Sequence, residues 1–190
     1  MVSHYHRFLL APFLHVHILI RVLWDTNHFL CVEFWQSPSH MTAISTPLVY
    51  QLSYATSTYT LNTITSEAIP TITELAVTAD SPDNHKDLNT AIMKYLRPTT
   101  SSLLGGSSDS HGNEGFLISG ENPHTRLAAV KLERSLTDRL GEEWLALLPE
   151  MLPYISELME DEDENVELEA RLWVKQIEEV LGESLDDMLM

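Results

Sequence analysis

The sequence predicts an all-α fold in which antiparallel helix pairs stack as a short α-solenoid. Three observations carry this expectation. Apolar residues recur at three- and four-residue steps through most of the chain, which gathers them on one face of each helix. Ser37-Pro38, Ser81-Pro82 and Asn122-Pro123 repeat one punctuation, a capping side chain followed by proline in the first turn. No segment between turn signals sustains the two-residue alternation of a half-buried strand.

Residues 1–33 differ in kind from the rest and are predicted to stand outside the domain behind them. They carry His4, His6, His15, His17 and His28, and their longest apolar run, Phe8 to Ile20, is interrupted by Pro12, His15 and His17. A membrane span needs about 20 apolar residues, and a signal peptide needs a clean apolar centre with a small-residue cleavage site. The segment meets neither pattern. The His-x-His pairs lack a carboxylate or cysteine at ligand spacing, so no metal site is expected there.

From residue 34 to residue 98 the texture is that of helical repeats. Ile44, Leu48 and Leu52 share a face after the Ser37-Pro38 start. A turn is expected over Ala55–Thr60, and then a second face runs Leu61, Ile64, Ala68, Ile72, Leu75 and Ala76. Pro70 lies inside that run and predicts a kink or break, because it lacks an N–H and crowds the preceding turn. Leu88, Ile92, Tyr95 and Leu96 define a third helix that ends at Pro98.

Residues 99–121 are rich in Ser and Gly without helical period and read as a flexible insert. Phe116, Leu117 and Ile118 are its apolar exception. Ala128, Ala129, Leu132, Leu136 and Leu140 carry the next helix, with Gly141 as its terminating residue. The stretch 142–160 follows, with Trp144, Leu147, Leu148, Met151, Leu152, Ile155, Leu158 and Met159 on one broad face. The stretch 165–181 comes last, with Val166, Ala170, Trp173, Val174, Ile177 and Leu181 on another. Residues 122–182 thus form a C-terminal helical unit, and 183–190 an acidic tail. The expected pairs are 38–54 with 57–79, 83–97 with 123–140, and 142–160 with 165–181. The wide stripe of 142–160 exceeds what one partner covers, which is the logic of stacked repeats. Trp144, Leu148, Leu152, Val166, Trp173 and Ile177 are the expected core anchors.

Charge and cysteine usage narrow the function classes. The formal net charge is −17, and residues 141–190 alone hold 16 acids against two bases. Such a surface repels phosphate and suits basic protein partners better than nucleic acid. The acidic turn Glu160, Asp161, Glu162, Asp163 and Glu164 is the expected interaction surface. Cys31 is the only cysteine, which excludes a disulfide framework and fits a reducing, intracellular compartment.

Motifs of chemistry are sparse. Asp161-x-Asp163-x-Asn165 matches the first half of a calcium loop, but Val166 stands where glycine belongs and Leu172 where the bidentate Glu belongs. No phosphate loop, nucleophile elbow or zinc-protease pair occurs in the sequence. His124 near Arg126, and Glu142 with Glu143, read as helix-start residues. The bases Lys86, Lys94, Arg97, Arg126, Lys131, Arg134 and Arg139 are interleaved with acids, including Glu133 and Asp138, and read as a mixed helix surface. No catalytic residue and no cofactor is expected.

The order Leu147-Leu148-Pro149, Leu152, Ile155, Leu158, Asp161, Val166, Ala170, Ile177 resembles a HEAT repeat. Its first helix opens on Leu-Leu-Pro, an acid sits in the turn, and Val opens the second helix. Glu167 departs from the Arg or Lys usual after that Val, as a terminal repeat does. Asn122-Pro123-x-x-Arg126-Leu127-Ala128-Ala129 resembles the turn and second-helix start of the repeat before it. Longer runs carry more: FWQSPSHMTAISTPLVYQL, AIPTITELAVTADSPDNHKDLNTAIMKYLRP, ENPHTRLAAVKLE, LGEEWLALLPEMLPYISELMEDEDENVE and QIEEVLGESLDDML. From about Phe34 to Met190 these resemble the C-terminal HEAT-repeat region of the fungal U3 small nucleolar RNA-associated protein ten family, as a truncated piece of it. The resemblance implies a HEAT-type solenoid and a non-catalytic scaffold of the small-subunit processome in the nucleus and nucleolus. It implies work in processing of the 18S ribosomal RNA precursor and a link to polymerase I transcription. The implied partners are processome proteins and the U3 ribonucleoprotein, with RNA association indirect and no membrane. The alternative is a helical-repeat module that binds RNA directly through the central bases.

Overall fold

The computed structural model describes residues 38–97, 122–185 and 188–189. Residues 1–33, the Ser/Gly-rich stretch 99–121, Ser37 and Pro98 lie outside these, and so do the expectations placed on them. The described residues are all-helical and contain no strand.

Helix α1 spans Pro38–Tyr50 and tightens into a 3-10 turn over Gln51–Tyr54. Leu48, Val49 and Leu52 enter the core, with Ile44 packed at its margin. The next helix, α2 (Thr58–Thr63), starts earlier than the predicted turn allows. Ser57 Oγ accepts from the Thr60 N–H at 3.3 Å while Thr60 Oγ1 accepts from the Ser57 N–H at 3.0 Å. This is a capping box in which a threonine hydroxyl replaces the usual Glu or Gln, so the Ser/Thr-rich stretch is itself a helix start.

The break expected at Pro70 lies one turn upstream. Ile64–Ala68 form a π turn in which the Ile69 N–H reaches back to the Ile64 carbonyl. Helix α3 (Ile69–Ala79) restarts with Pro70 in its first turn, where a missing N–H leaves no bond unmade. Asp80 closes α3 in the left-handed region with φ 38°. Helix α4 runs Pro82–Met93, and Tyr95 and Leu96 of the following turn are buried. Helix α5 runs Pro123–Leu140 and is capped by Asn122 Oδ1, which accepts from the His124 N–H at 2.9 Å.

The single helix expected over 142–160 is two. Gly141 (φ 55°, ψ −127°) turns the chain into the short α6, Glu142–Leu145, and α7 then spans Leu148–Leu158. Pro149 is the cause. It has no N–H to bond the Leu145 carbonyl and its ring crowds that group, so α6 stops at Leu145 and the chain restarts with proline in the first turn of α7. Helix α8, Glu164–Leu181, is capped by Asp163 Oδ1, which accepts from the Asn165 and Val166 N–H groups at 3.0 and 3.2 Å. Gly182 ends it at φ 74°.

Helix α5 is the centre of the packing. It lies against α3 on one side and α8 on the other, and it also touches the 3-10 turn, α2, α4 and α6. Helix α1 packs chiefly on α4 and less on α3, while α7 packs on α8. The predicted partners within each pair therefore touch, but the larger contacts of α1, α3 and α5 run from one pair to the next. Small residues on α5, Ala128 and Ala129, sit fully buried there and let neighbouring backbones approach. The core is continuous from Leu48 to Ile177 and takes in Leu185 as well. Residues 183–185 are thus more than an acidic tail: the Leu185 N–H and the Ser184 hydroxyl both donate to Glu178 Oε1, folding Leu185 back onto the core.

Candidate functional site

The polar groups with defined geometry gather along α5. Arg126, one turn into that helix, is buried and faces the turn between α7 and α8. Its Nε donates to Asp161 Oδ2 and its Nη2 to Asp161 Oδ1, both at 2.7 Å. Both side chains are less than one-tenth exposed, so this is a buried bidentate pair. Asp161 Oδ1 accepts further from the Asp163 N–H at 2.9 Å. Asp161 is therefore the joint between α5 and the turn, and Asp163 is the cap of α8. Of the expected acidic surface, Glu160, Glu162 and Glu164 point to solvent.

Two turns along α5, Glu133 is fully buried. Sequence reasoning placed it on a mixed helix surface, yet it stands four residues after Ala129 and three before Leu136, within the apolar stripe. That spacing was the signal. Trp144 Nε1 donates to Glu133 Oε2 at 2.9 Å, while Glu133 Oε1 has no hydrogen-bond partner. Burial pushes the Glu133 carboxyl up to about 8, and the Trp144 bond opposes only part of that. One turn further, Trp173 Nε1 donates to Thr137 Oγ1 at 3.0 Å, and Thr137 Oγ1 donates to the Glu133 carbonyl at 2.9 Å. The indoles of α6 and α8 thus dock on consecutive turns of one helix. Behind Trp144, His85 of α4 stacks edge-on at 5.9 Å and donates from Nε2 to the Ala76 carbonyl at 3.0 Å.

Trp144, Trp173, Val166 and Ile177 are fully buried, and Leu148 is nearly so. Leu152 lies half-buried against the core. The exposed side of the α3–α5–α8 arrangement holds a groove of about 370 Å³ lined by Thr65, Ile69, Lys131, Arg134, Asp138 and Glu169, among others. Arg134 Nη1 is bonded to Glu169 Oε1, Lys131 Nζ lies 3.6 Å from Glu169 Oε2, and Gln176 Nε2 donates to the Arg134 carbonyl at 3.3 Å. Both bases of the groove are thus matched by Glu169.

The other central bases are matched too. Lys86 meets Glu150 at 3.1 Å, Arg97 meets Glu157 at 2.7 Å and covers the Tyr154 ring at 4.1 Å, and Arg139 meets Glu74 at 3.0 Å. Among the described residues, Lys94 alone of the seven lacks an ion pair. The first two of these pairs join α4 and its following turn to α7. His124, Glu142 and Glu143 occupy the helix starts assigned to them. Among the described residues there is no cluster of His, Cys, Asp and Glu arranged to hold a metal ion. No helix among them is long and apolar enough to cross a membrane.

No protein-family profile matches the chain. Individual proteins do. Over 157 residues, 83% of the chain, it is 68% identical to a protein of Aspergillus fumigatus named U3 small nucleolar RNA-associated protein 10. It is equally similar to the protein of the same name from Aspergillus oryzae, and 63% identical to the one from Coccidioides immitis. The chain spans only 8% of the length of these relatives.

Proposed function

Because the chain belongs over those 157 residues to the family of fungal proteins named U3 small nucleolar RNA-associated protein 10, we propose that it is a non-catalytic scaffold segment of the small-subunit processome. On this reading it lies in the nucleolus and serves processing of the 18S ribosomal RNA precursor in ribosome biogenesis, with a link to polymerase I transcription. The relatives' shared name carries the assignment to the U3 ribonucleoprotein. The scaffold part is supported by the packing of α5 between α3 and α8 and of α1 on α4. Successive pairs bury their faces on one another, which is how HEAT-type repeats stack.

Its partners are protein subunits, and RNA is reached through them. Six of the seven central bases lie beside carboxylates, which leaves few cations to release counterions from a phosphate backbone. Buried Arg126 is closed to phosphate altogether. The test is to tag the chain in fungal cells and purify it at moderate salt. Enrichment of U3 RNA and processome proteins is expected, with nuclease treatment sparing the protein contacts. Recovery without them would overturn the assignment. Tight filter binding of bare RNA with a steep salt slope would instead favour the direct RNA-binding alternative.

A further inference from the structure

Helix α8 buries one face and leaves the other bare. Val166, Ala170, Trp173, Val174 and Ile177 enter the core, whereas Leu168 is 59% and Leu172 41% exposed. At 100° per residue these two leucines fall opposite the buried stripe, and their spacing of four places them side by side on one surface. Leucines in adjacent turns of an exposed helix face form a contiguous apolar ridge, unlike the single exposed Tyr59.

The charges around that ridge define what fits it. Glu160 and Glu162 in the turn before α8 and Glu164 at its start are exposed and have no ion-pair partner among the described residues. The two bases of the helix are already occupied: Arg171 meets Glu167 at 2.7 Å and Lys175 meets Glu179 at 3.8 Å. Arg171 and Lys175 stand on the ridge's own face, but Glu164, Glu167, Glu169, Glu178 and Glu179 outnumber them along the helix, so the surroundings of the ridge are net negative. An acidic or neutral helix laid on it gains no electrostatic complement, whereas one flanked by Lys and Arg does.

We propose that the outward face of α8, centred on Leu168 and Leu172, docks a basic amphipathic helix of a partner protein. Its apolar residues at three- and four-residue spacing pack on the two leucines, and its cations meet the exposed glutamates. This docking face is independent of the processome assignment and is read from the isolated chain.

The experiment is an unbiased selection of displayed helical peptides against the 190-residue chain. The expected winners carry an apolar stripe flanked by Lys or Arg, weaken as salt rises, and lose at least tenfold in affinity against L168S/L172S. Both substitutions are at exposed positions, so the thermal melt should stay unchanged. Should the variant melt early, the charge swap E162K/E164K serves instead and should weaken the same peptides. Winners that are acidic or extended, equal binding to the variants, or no enrichment would overturn the proposal. So would concentration-dependent self-association of the chain that L168S/L172S abolishes, since the occupant would then be a second copy.

Discussion

Glu133 and Trp144 are joined inside the core by a 2.9 Å hydrogen bond that uses one carboxyl oxygen and leaves the other unpartnered. Burial raises the carboxyl to about 8 from an ordinary value of 4.5. The folded protein therefore holds a proton through a range in which the unfolded chain has released it. The contribution to stability is whole below the unfolded value, falls as pH rises from there towards 8, and is gone above it. The span corresponds to a few kcal/mol. Urea titrations should give a falling midpoint from pH 5 to pH 9 for the wild type. Glu133→Gln, which keeps the bond from Trp144 without a charge, should flatten that slope and be the more stable protein at pH 9. A wild-type midpoint independent of pH would refute this account.

Arg126 and Asp161 set a second expectation. Removing one member of a buried bidentate pair strands the other charge, and Arg126→Met should destabilise by about 3–5 kcal/mol. Combining Arg126→Met with Asp161→Leu should recover part of that. Recovery stays incomplete because Asp161 also accepts from the Asp163 backbone. A double-mutant cycle by chemical denaturation measures the coupling. Single and double variants of equal stability would contradict it.

The two glycines among the described residues, Gly141 and Gly182, separate backbone cost from crowding, since a Cβ at either meets no atom within 4 Å. Gly141 holds φ 55° with ψ −127°, a region that other residues scarcely enter, whereas Gly182 is left-handed with ψ 15°. Gly141→Ala should cost about 2 kcal/mol and Gly182→Ala about 1 kcal/mol. Gly182→Asn should cost less than Gly182→Ala, because asparagine tolerates that conformation. Thermal melts of the three variants should rank in that order.

Leu185 should behave as a core residue. Leu185→Ala is expected to cost about 2–3 kcal/mol, as other buried leucines do, while Glu183→Ala next to it should be near neutral. Equal effects in a denaturant titration would mean that the segment does not pack.

These cases also show what the residues alone could reveal. The helix start at Asn122 was legible because capping is local: the side chain that satisfies the first N–H groups lies within three residues of them, whereas Asp163, read as part of an acidic surface, is shown to be a cap only by the structure. The stop at Gly182 was legible for the same reason. The split of 142–160 was there to be read in Pro149, but the strong apolar period on both sides masked it. The role of Asp161 was not legible, because Arg126 lies 35 residues away and only packing of α5 against the turn brings them together. An acidic run in sequence thus divides in space into a buried joint, a cap and three exposed glutamates. Glu133 shows the converse, an acid whose position in the period announced burial while its chemistry suggested the surface.

The π turn at Ile64–Ala68 has a consequence for phase. Ordinary helical winding from Leu61 to Ala79 would leave the apolar stripes of α2 and α3 roughly 80° apart. A five-residue hydrogen-bonded turn takes up one extra residue, worth about 100° of rotation, and brings the two stripes into line on α5. Rewinding Ile64–Ala68 as regular α-helix with every residue kept would swing Ile72, Thr73 and Ala76 off their neighbours, whereas removing one residue from the turn would let the helix wind regularly and keep them in phase. The irregular turn works as a fixed angular offset, and the facing of everything from Ile69 to Ala79 depends on it.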